Sequence, residues 1–223
     1  ENFFLLLMQP PDRVTERHIL PREYVFIVDV SGSMYGFPLE ASKRLLANLI
    51  GGLRPTDLFN VVLFAGGSQT FSPQSVPANE KNIRQAIDLI DRERGGGGTE
   101  LLPALKKAFG LPRTEGFSRT LIIATDGYVA VEKEAFEFIR AHLGACNFFS
   151  FGIGSSVNRY LIEGMARAGM GESFVVSRAE DAPAAAEKFR GYVQSPILSK
   201  VKVAFTEFDA FEVEPMAIPD VFA

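Results

Sequence analysis

The stretch Tyr24–Gly36 constrains this chain more than any other. It reads Tyr-Val-Phe-Ile-Val-Asp-Val-Ser-Gly-Ser-Met-Tyr-Gly. A run of apolar residues stops at an acid and two hydroxyls with glycine between them. Such a run fits a strand buried on both faces, which is the habit of parallel sheets covered by helices. The polar tail then falls where the strand ends. Asp29, Ser31 and Ser33 are spaced i, i+2 and i+4, so an extended backbone points all three the same way. All are hard oxygen donors of the kind magnesium takes. Gly32 lets the backbone turn between them.

Two later stretches extend the pattern. Gly95-Gly96-Gly97-Gly98-Thr99-Glu100 places a hydroxyl directly after four glycines. Thr120-Leu121-Ile122-Ile123-Ala124-Thr125-Asp126-Gly127 repeats the first design, a buried strand ending in an acid and then glycine. Each piece has an ordinary reading. Asp29 and Ser31 could cap the next helix, Ser33 and Asp126-Gly127 could be turn residues, and the glycine run could be a linker. In this order, each at the end of its element, they closely resemble the metal-ion-dependent adhesion site of von Willebrand factor type A domains. The resemblance implies that Ser31, Ser33 and Thr99 reach a divalent cation through hydroxyls, and that Asp29 and Asp126 reach it directly or through water. It also implies that the strands bearing the two acids are neighbours in mid-sheet.

Along the chain, strand and helix signals alternate. Asn2–Met8 reads as a strand, followed by a polar connector to Pro21. After Tyr24–Val30 comes a helix over Pro38–Ile50, with Leu39, Leu45, Leu46, Leu49 and Ile50 inward. Asp57–Phe64 is a strand, and Gln69–Phe71 a short edge strand. Helices follow over Asn79–Ile90 and Glu100–Phe109, a strand over Thr120–Thr125 and a helix over Val131–Leu143. Asn147–Ile153 is a strand, Asn158–Ala168 a helix, Ser173–Val176 a strand and Ala182–Val193 a last helix. The expected fold is therefore α/β: a doubly wound, mostly parallel six-stranded sheet flanked by helices, Rossmann-like in its winding. Ligands of such sheets sit beyond the carboxyl ends of the strands, at the switch point. Val201–Phe205 and Phe211–Glu214 alternate like half-exposed strands, and a small β appendage pairing them with Asn2–Met8 is expected. This divides the chain into a flanking strand and connector (1–21), the type A domain (22–194) and a β-rich extension (195–223).

The flanks narrow the resemblance. An apolar strand before the domain, the sequence Asp-Val-Ser-Gly-Ser-Met and a strand-like tail after Ser195-Pro196 are similar to inter-alpha-trypsin inhibitor heavy chains and their bacterial relatives. That implies a neighbouring β-rich domain in the same full-length chain and a secreted, periplasmic or cell-surface location. The start at Glu1, without methionine, fits a piece of a longer protein.

At 223 residues, 47% hydrophobic and 22% charged, the chain can bury a large core. A net charge of −4 gives no nucleic-acid surface. No apolar run approaches the roughly 20 residues needed to span a bilayer. The single cysteine, Cys146, excludes an intrachain disulfide and a cysteine-based zinc site, and its apolar neighbours suggest a buried, inert thiol.

The function expected from these residues is binding rather than catalysis. Two carboxylates against a doubly charged ion leave it attractive to one more anionic oxygen. In the family resembled, that oxygen is a Glu or Asp of a partner protein. Magnesium is the expected ion, with manganese or calcium as alternatives. Thr99, on its glycine loop, could join or leave the ion's shell and so act as a switch. Met34, Tyr35, Phe37 and Tyr128 flank the motifs and would form a binding rim, or else pack under the loops. One alternative is a magnesium-dependent phosphoryl-transfer enzyme. Against it, Ser31 stands where a second acid would be needed, no phosphate-binding Gly-Lys-Ser/Thr loop is present, and neither His18 nor His142 lies in a motif with a nucleophile. Lys106 and Lys107 would be its only anion partners. A second alternative is a structural module whose metal only orders loops.

Overall fold

The computed structural model describes residues 21–129, 131–144, 146–193, 196–198, 201–207, 211 and 221–222. Its centre is β1 (Arg22–Asp29), every residue of which is buried. The apolar run of the sequence is thus a two-sided core strand. On one side β1 pairs in parallel with β2 (Leu58–Phe64), Ile27 opposite Val62. On the other it pairs in parallel with β5 (Ser118–Thr125), Ile27 opposite Ile123. Beyond β5 lie β6 (Cys146–Ile153) and β7 (Ser173–Val176), both parallel. Beyond β2 lies β3 (Ser68–Thr70), antiparallel. A two-residue strand, β4 (Val76–Pro77), also pairs with β2 and makes the sheet seven-stranded. The sequence reading has six, because two residues carry no periodic signal.

Alternation along the strands decides which helices go where. Tyr24, Phe26 and Val28 face one core, shared with α1 (Phe37–Gly51), α2 (Glu80–Asp91) and α6 (Ala182–Val193). Val25 and Ile27 face the other, shared with α3 (Leu101–Phe109), α4 (Glu132–His142) and α5 (Arg159–Ala168). The inward stripe expected of α1 is buried throughout. α2 starts at Asn79, whose side chain accepts the amide of Asn82 at 2.9 Å.

At the floor of the sheet, away from the strand carboxyl ends, Glu23 and Arg119 are buried together. Arg119 donates to both carboxylate oxygens, from Nε at 2.9 Å and Nη2 at 2.8 Å; Nη2 also reaches the carbonyl of Pro112, and Nη1 that of Leu111. Such a pair is tolerable because each of the three guanidinium nitrogens has an acceptor. Cys146 is also buried, and burial pushes its thiol pKa up against the opposing pull of Arg113.

The C-terminal flank departs from expectation. Val201–Phe205 forms no strand, and Val203 and Phe205 are exposed. Alternation marks a strand only where one face has something to pack on. Phe211 is exposed too, and Glu212–Glu214 lie outside the described residues. A small β appendage does exist, but it pairs β8 (Pro196–Leu198) with β9 (Val221–Phe222), antiparallel. The strand expected over Asn2–Met8 lies outside the described residues.

Candidate metal centre

The strand order β3-β2-β1-β5-β6-β7 places the topological switch point between β1 and β5. From β1 the chain winds one way to β2, and from β5 it winds the other way to β6. Their carboxyl ends therefore splay apart and leave a crevice. Asp29 is the last residue of β1 and Asp126 directly follows β5. Both are buried, at 0% and 4% exposure.

The first loop makes a short 3-10 turn over Gly32–Met34. Neither that turn nor α1 is capped by a side chain, so the capping reading of Asp29 and Ser31 does not describe this loop. Asp29 Oδ1 instead accepts the Ser31 amide at 2.9 Å. The Ser31 and Ser33 hydroxyls lie 3.3 Å apart, so the two side chains converge as the i, i+2 spacing implies. Ser31 is buried and Ser33 exposed, which makes them the floor and the lip of one small bowl.

Thr99 arrives from the glycine run, which is not a free linker. Gly96 donates its amide to Val30 O at 3.0 Å, Gly97 O accepts the Gly32 amide at 3.1 Å, and the Glu100 amide reaches Ala65 O at 2.8 Å. The run is stitched between the ends of β1 and β2, with Thr99 half-buried just beyond it. Gly95 has φ +78°, and a Cβ there would come within 3.0 Å of Tyr35 Cα, so this close passage requires glycine.

Asp126 is held by its own turn. Its Oδ1 accepts the Tyr128 amide at 3.2 Å. Thr125, quoted in the strand motif but given no role there, links the two acids. Its buried hydroxyl donates to Asp29 Oδ2 at 2.5 Å and accepts the Gly127 amide at 3.0 Å. Asn158, read from sequence only as the start of a helix, also touches this turn. Its amide donates to Asp126 O at 3.0 Å. Asparagine just before an apolar helical pattern is a cap signal, but nothing local shows that it reaches a loop 31 residues away.

Burial pushes the Asp29 carboxyl above its ordinary pKa, the Ser31 and Thr125 hydrogen bonds pull it down, and the Asp126 charge pushes it up again. None of these groups is cationic. Two acids thus repel each other at the buried strand ends, with the Ser31 and Thr125 hydroxyls bonded to Asp29 and Ser33 beside Ser31, a donor set that fits a hard divalent cation. Asp29, at the end of β1, and Ser31, Ser33, Thr99 and Asp126, from the loops, all lie at this one end of the sheet. Among the described residues no group of three or more His, Cys, Asp or Glu side chains converges, so the centre is hydroxyl-rich rather than acid-rich.

Around it, Tyr35, Phe37 and Tyr128 are exposed, whereas Met34 is fully buried. The aromatic rim is therefore at the surface, and Met34 packs under the loop. His142 hydrogen-bonds Phe138 O at the far end of α4, and Lys107 is engaged by Ser68 O. His18 lies outside the described residues.

Residues 22–174 match the family model described as von Willebrand factor type A domain. The chain belongs to this family. It is 30% identical over 203 residues to human von Willebrand factor A domain-containing protein 5B1, covering 90% of this chain and 17% of that protein. It is 28% identical over 201 residues to a type A domain-containing protein of Dictyostelium discoideum, covering 90% and 22%. The chain thus spans about a fifth of the length of these relatives. Among solved structures, a von Willebrand factor type A protein from Catenulispora acidiphila superposes with a TM-score of 0.67 at 20% identity, covering 76% of this chain and 42% of that one. An aerotolerance-related membrane protein from Bacteroides fragilis superposes with a TM-score of 0.63, also at 20% identity, covering 75% and 97%. At this identity the superpositions establish the type A fold alone. Among the described residues no helix is long and apolar enough to cross a membrane.

Proposed function

We propose that this type A domain is a metal-dependent protein-interaction module. The observation that carries the reading is the placement of two buried carboxylates at the switch point, with the Ser31 and Ser33 hydroxyls converging beside Asp29 and exposed aromatic side chains on the same loops. Asp29, Ser31, Ser33, Thr99 and Asp126 would hold magnesium, or manganese or calcium. Bound there, the ion supplies an electrophilic position for a carboxylate oxygen from outside. The chain's own residues do the rest. Buried Asp29 and Ser31 keep water from the floor, the stitched loop presents Thr99, and Tyr35, Phe37 and Tyr128 offer apolar area around the captured group. The partner is then a protein segment presenting Glu or Asp among apolar neighbours, met outside the cytoplasm.

Calorimetric titration of magnesium and manganese into chelator-stripped protein tests this, beside Asp29→Ala and Thr99→Ala. Saturable binding in the parent, lost in Asp29→Ala and weakened in Thr99→Ala, is the expected result. A parent that keeps its fold yet takes up neither ion would overturn the reading.

A further inference from the structure

Asn158 makes more hydrogen bonds than a helix cap requires. As N-cap of α5 its Oδ1 accepts the Leu161 amide at 3.2 Å. Serine or aspartate would do that equally well, since a cap needs only an acceptor. Asparagine also carries two donors, and here both point at the neighbouring loop. Nδ2 donates to Gly127 O at 3.1 Å and to Glu132 Oε1 at 3.3 Å. The backbone amide of Asn158 reaches Asp126 O. Gly127, at φ +82°, lies so close that a Cβ on it would come within 3.0 Å of Asn158 Cβ. The β5–α4 connection is thus pinned at three points, the carbonyls of Asp126 and Gly127 at its start and the side chain of Glu132 where α4 begins. From Gly127 the chain of bonds continues through the Thr125 hydroxyl to Asp29 Oδ2.

We propose that Asn158 is a positioning residue for the metal centre, fixing the Asp126–Gly127 turn and, through Thr125, the Asp29 carboxylate, so that both acids are presented at one spacing. The proposal rests on the metal-centre reading above. Its physical content is selectivity. Magnesium demands near-ideal octahedral geometry, while calcium accepts a looser and more variable shell. A turn that loses its pin relaxes, and the stricter ion is penalised first.

The test is Asn158→Ser in the otherwise unchanged chain, with Asn158→Ala beside it. Serine keeps the cap acceptor but is too short to reach Gly127 O. We expect Asn158→Ser to melt close to the parent in chelator and to bind magnesium about tenfold more weakly, the lower end of the loss usual when a group supporting a ligand is removed. Calcium affinity is expected to fall by a clearly smaller factor. Asn158→Ala should show the same loss of preference for magnesium over calcium and a lower melting temperature. Magnesium binding unchanged in Asn158→Ser would overturn the proposal. So would equal losses for both ions, which would mark a general loosening of structure. A parent that binds no metal would remove the metal-centre reading itself, and this proposal with it, before any variant is compared.

Discussion

At the scale of single residues, two buried acids do opposite things. Glu23 is fully matched: Arg119 grips both of its oxygens under the sheet. Removing one partner leaves the other charge buried and alone, so Arg119→Met should destabilise the fold by about 3–5 kcal/mol. Glu23→Gln combined with Arg119→Met should lose less than the two single changes added together, because neither leaves a stranded charge. Denaturant titration of the three variants reads this directly, and simple additivity would contradict it. Asp29 is not matched by any charge. It is buried, the Asp126 charge acts on it, and its partners are the Ser31 amide and hydroxyl and the Thr125 hydroxyl. Asparagine keeps an acceptor for the Ser31 amide and removes the charge that burial, and then Asp126, oppose, although the Thr125 hydroxyl must turn from donor to acceptor. In chelator Asp29→Asn should be more stable than the parent, by about 1 kcal/mol for a buried charge made neutral, while losing metal binding. A less stable Asp29→Asn would mean that the hydrogen bonds to the Asp29 carboxylate outweigh the cost of burying its charge beside Asp126.

At the scale of elements, the glycine run is the informative case. Read as composition, four glycines suggest a mobile linker. In the fold each side of the run is tied to a strand end by a backbone hydrogen bond. The glycines serve close passage rather than motion, and they are not equivalent. Gly95→Ala meets both a left-handed φ and the Tyr35 backbone, and should cost about 1–3 kcal/mol. Gly96 has ordinary φ and open space, so Gly96→Ala should stay within about 0.5 kcal/mol of the parent. Thermal melts of the pair distinguish a stitched loop from a floppy one, since a floppy loop would tolerate both. The stitching also bears on Thr99 as a switch: a swing of the whole run would break the Gly32–Gly97 and Val30–Gly96 bonds.

For the whole molecule, the two-faced sheet is a rigid platform, and the loops at its carboxyl ends carry two like charges. A cation that binds only the folded state stabilises by mass action, about 2.7 kcal/mol at a hundredfold excess over its dissociation constant. In a domain of this size that raises the melting temperature by roughly 5–10 °C. Magnesium should produce this shift in the parent and none in Asp29→Ala; identical melts in chelator and magnesium would count against the centre. What the sequence determined alone is what local pattern encodes. The uninterrupted apolar runs of β1 and β5 specify strands covered on both faces, and the acid at each run's end specifies a polar crevice, because side-chain direction repeats every two residues. The stripe of α1 likewise names its inward residues. What only the tertiary structure decided depends on partners far along the chain. The two-residue β4 exists because β2 lies beside it, and Val201–Phe205 forms no strand although it alternates like one. The buried side of the rim, Met34, differs from Tyr35 only through where the 3-10 turn points each of them. Thr125 and Asn158 acquire their roles only when β1, β5 and α5 come together. A hydrogen bond between residues 31 or 96 positions apart leaves no trace in periodicity, since it depends on the register and order of strands rather than on any one of them.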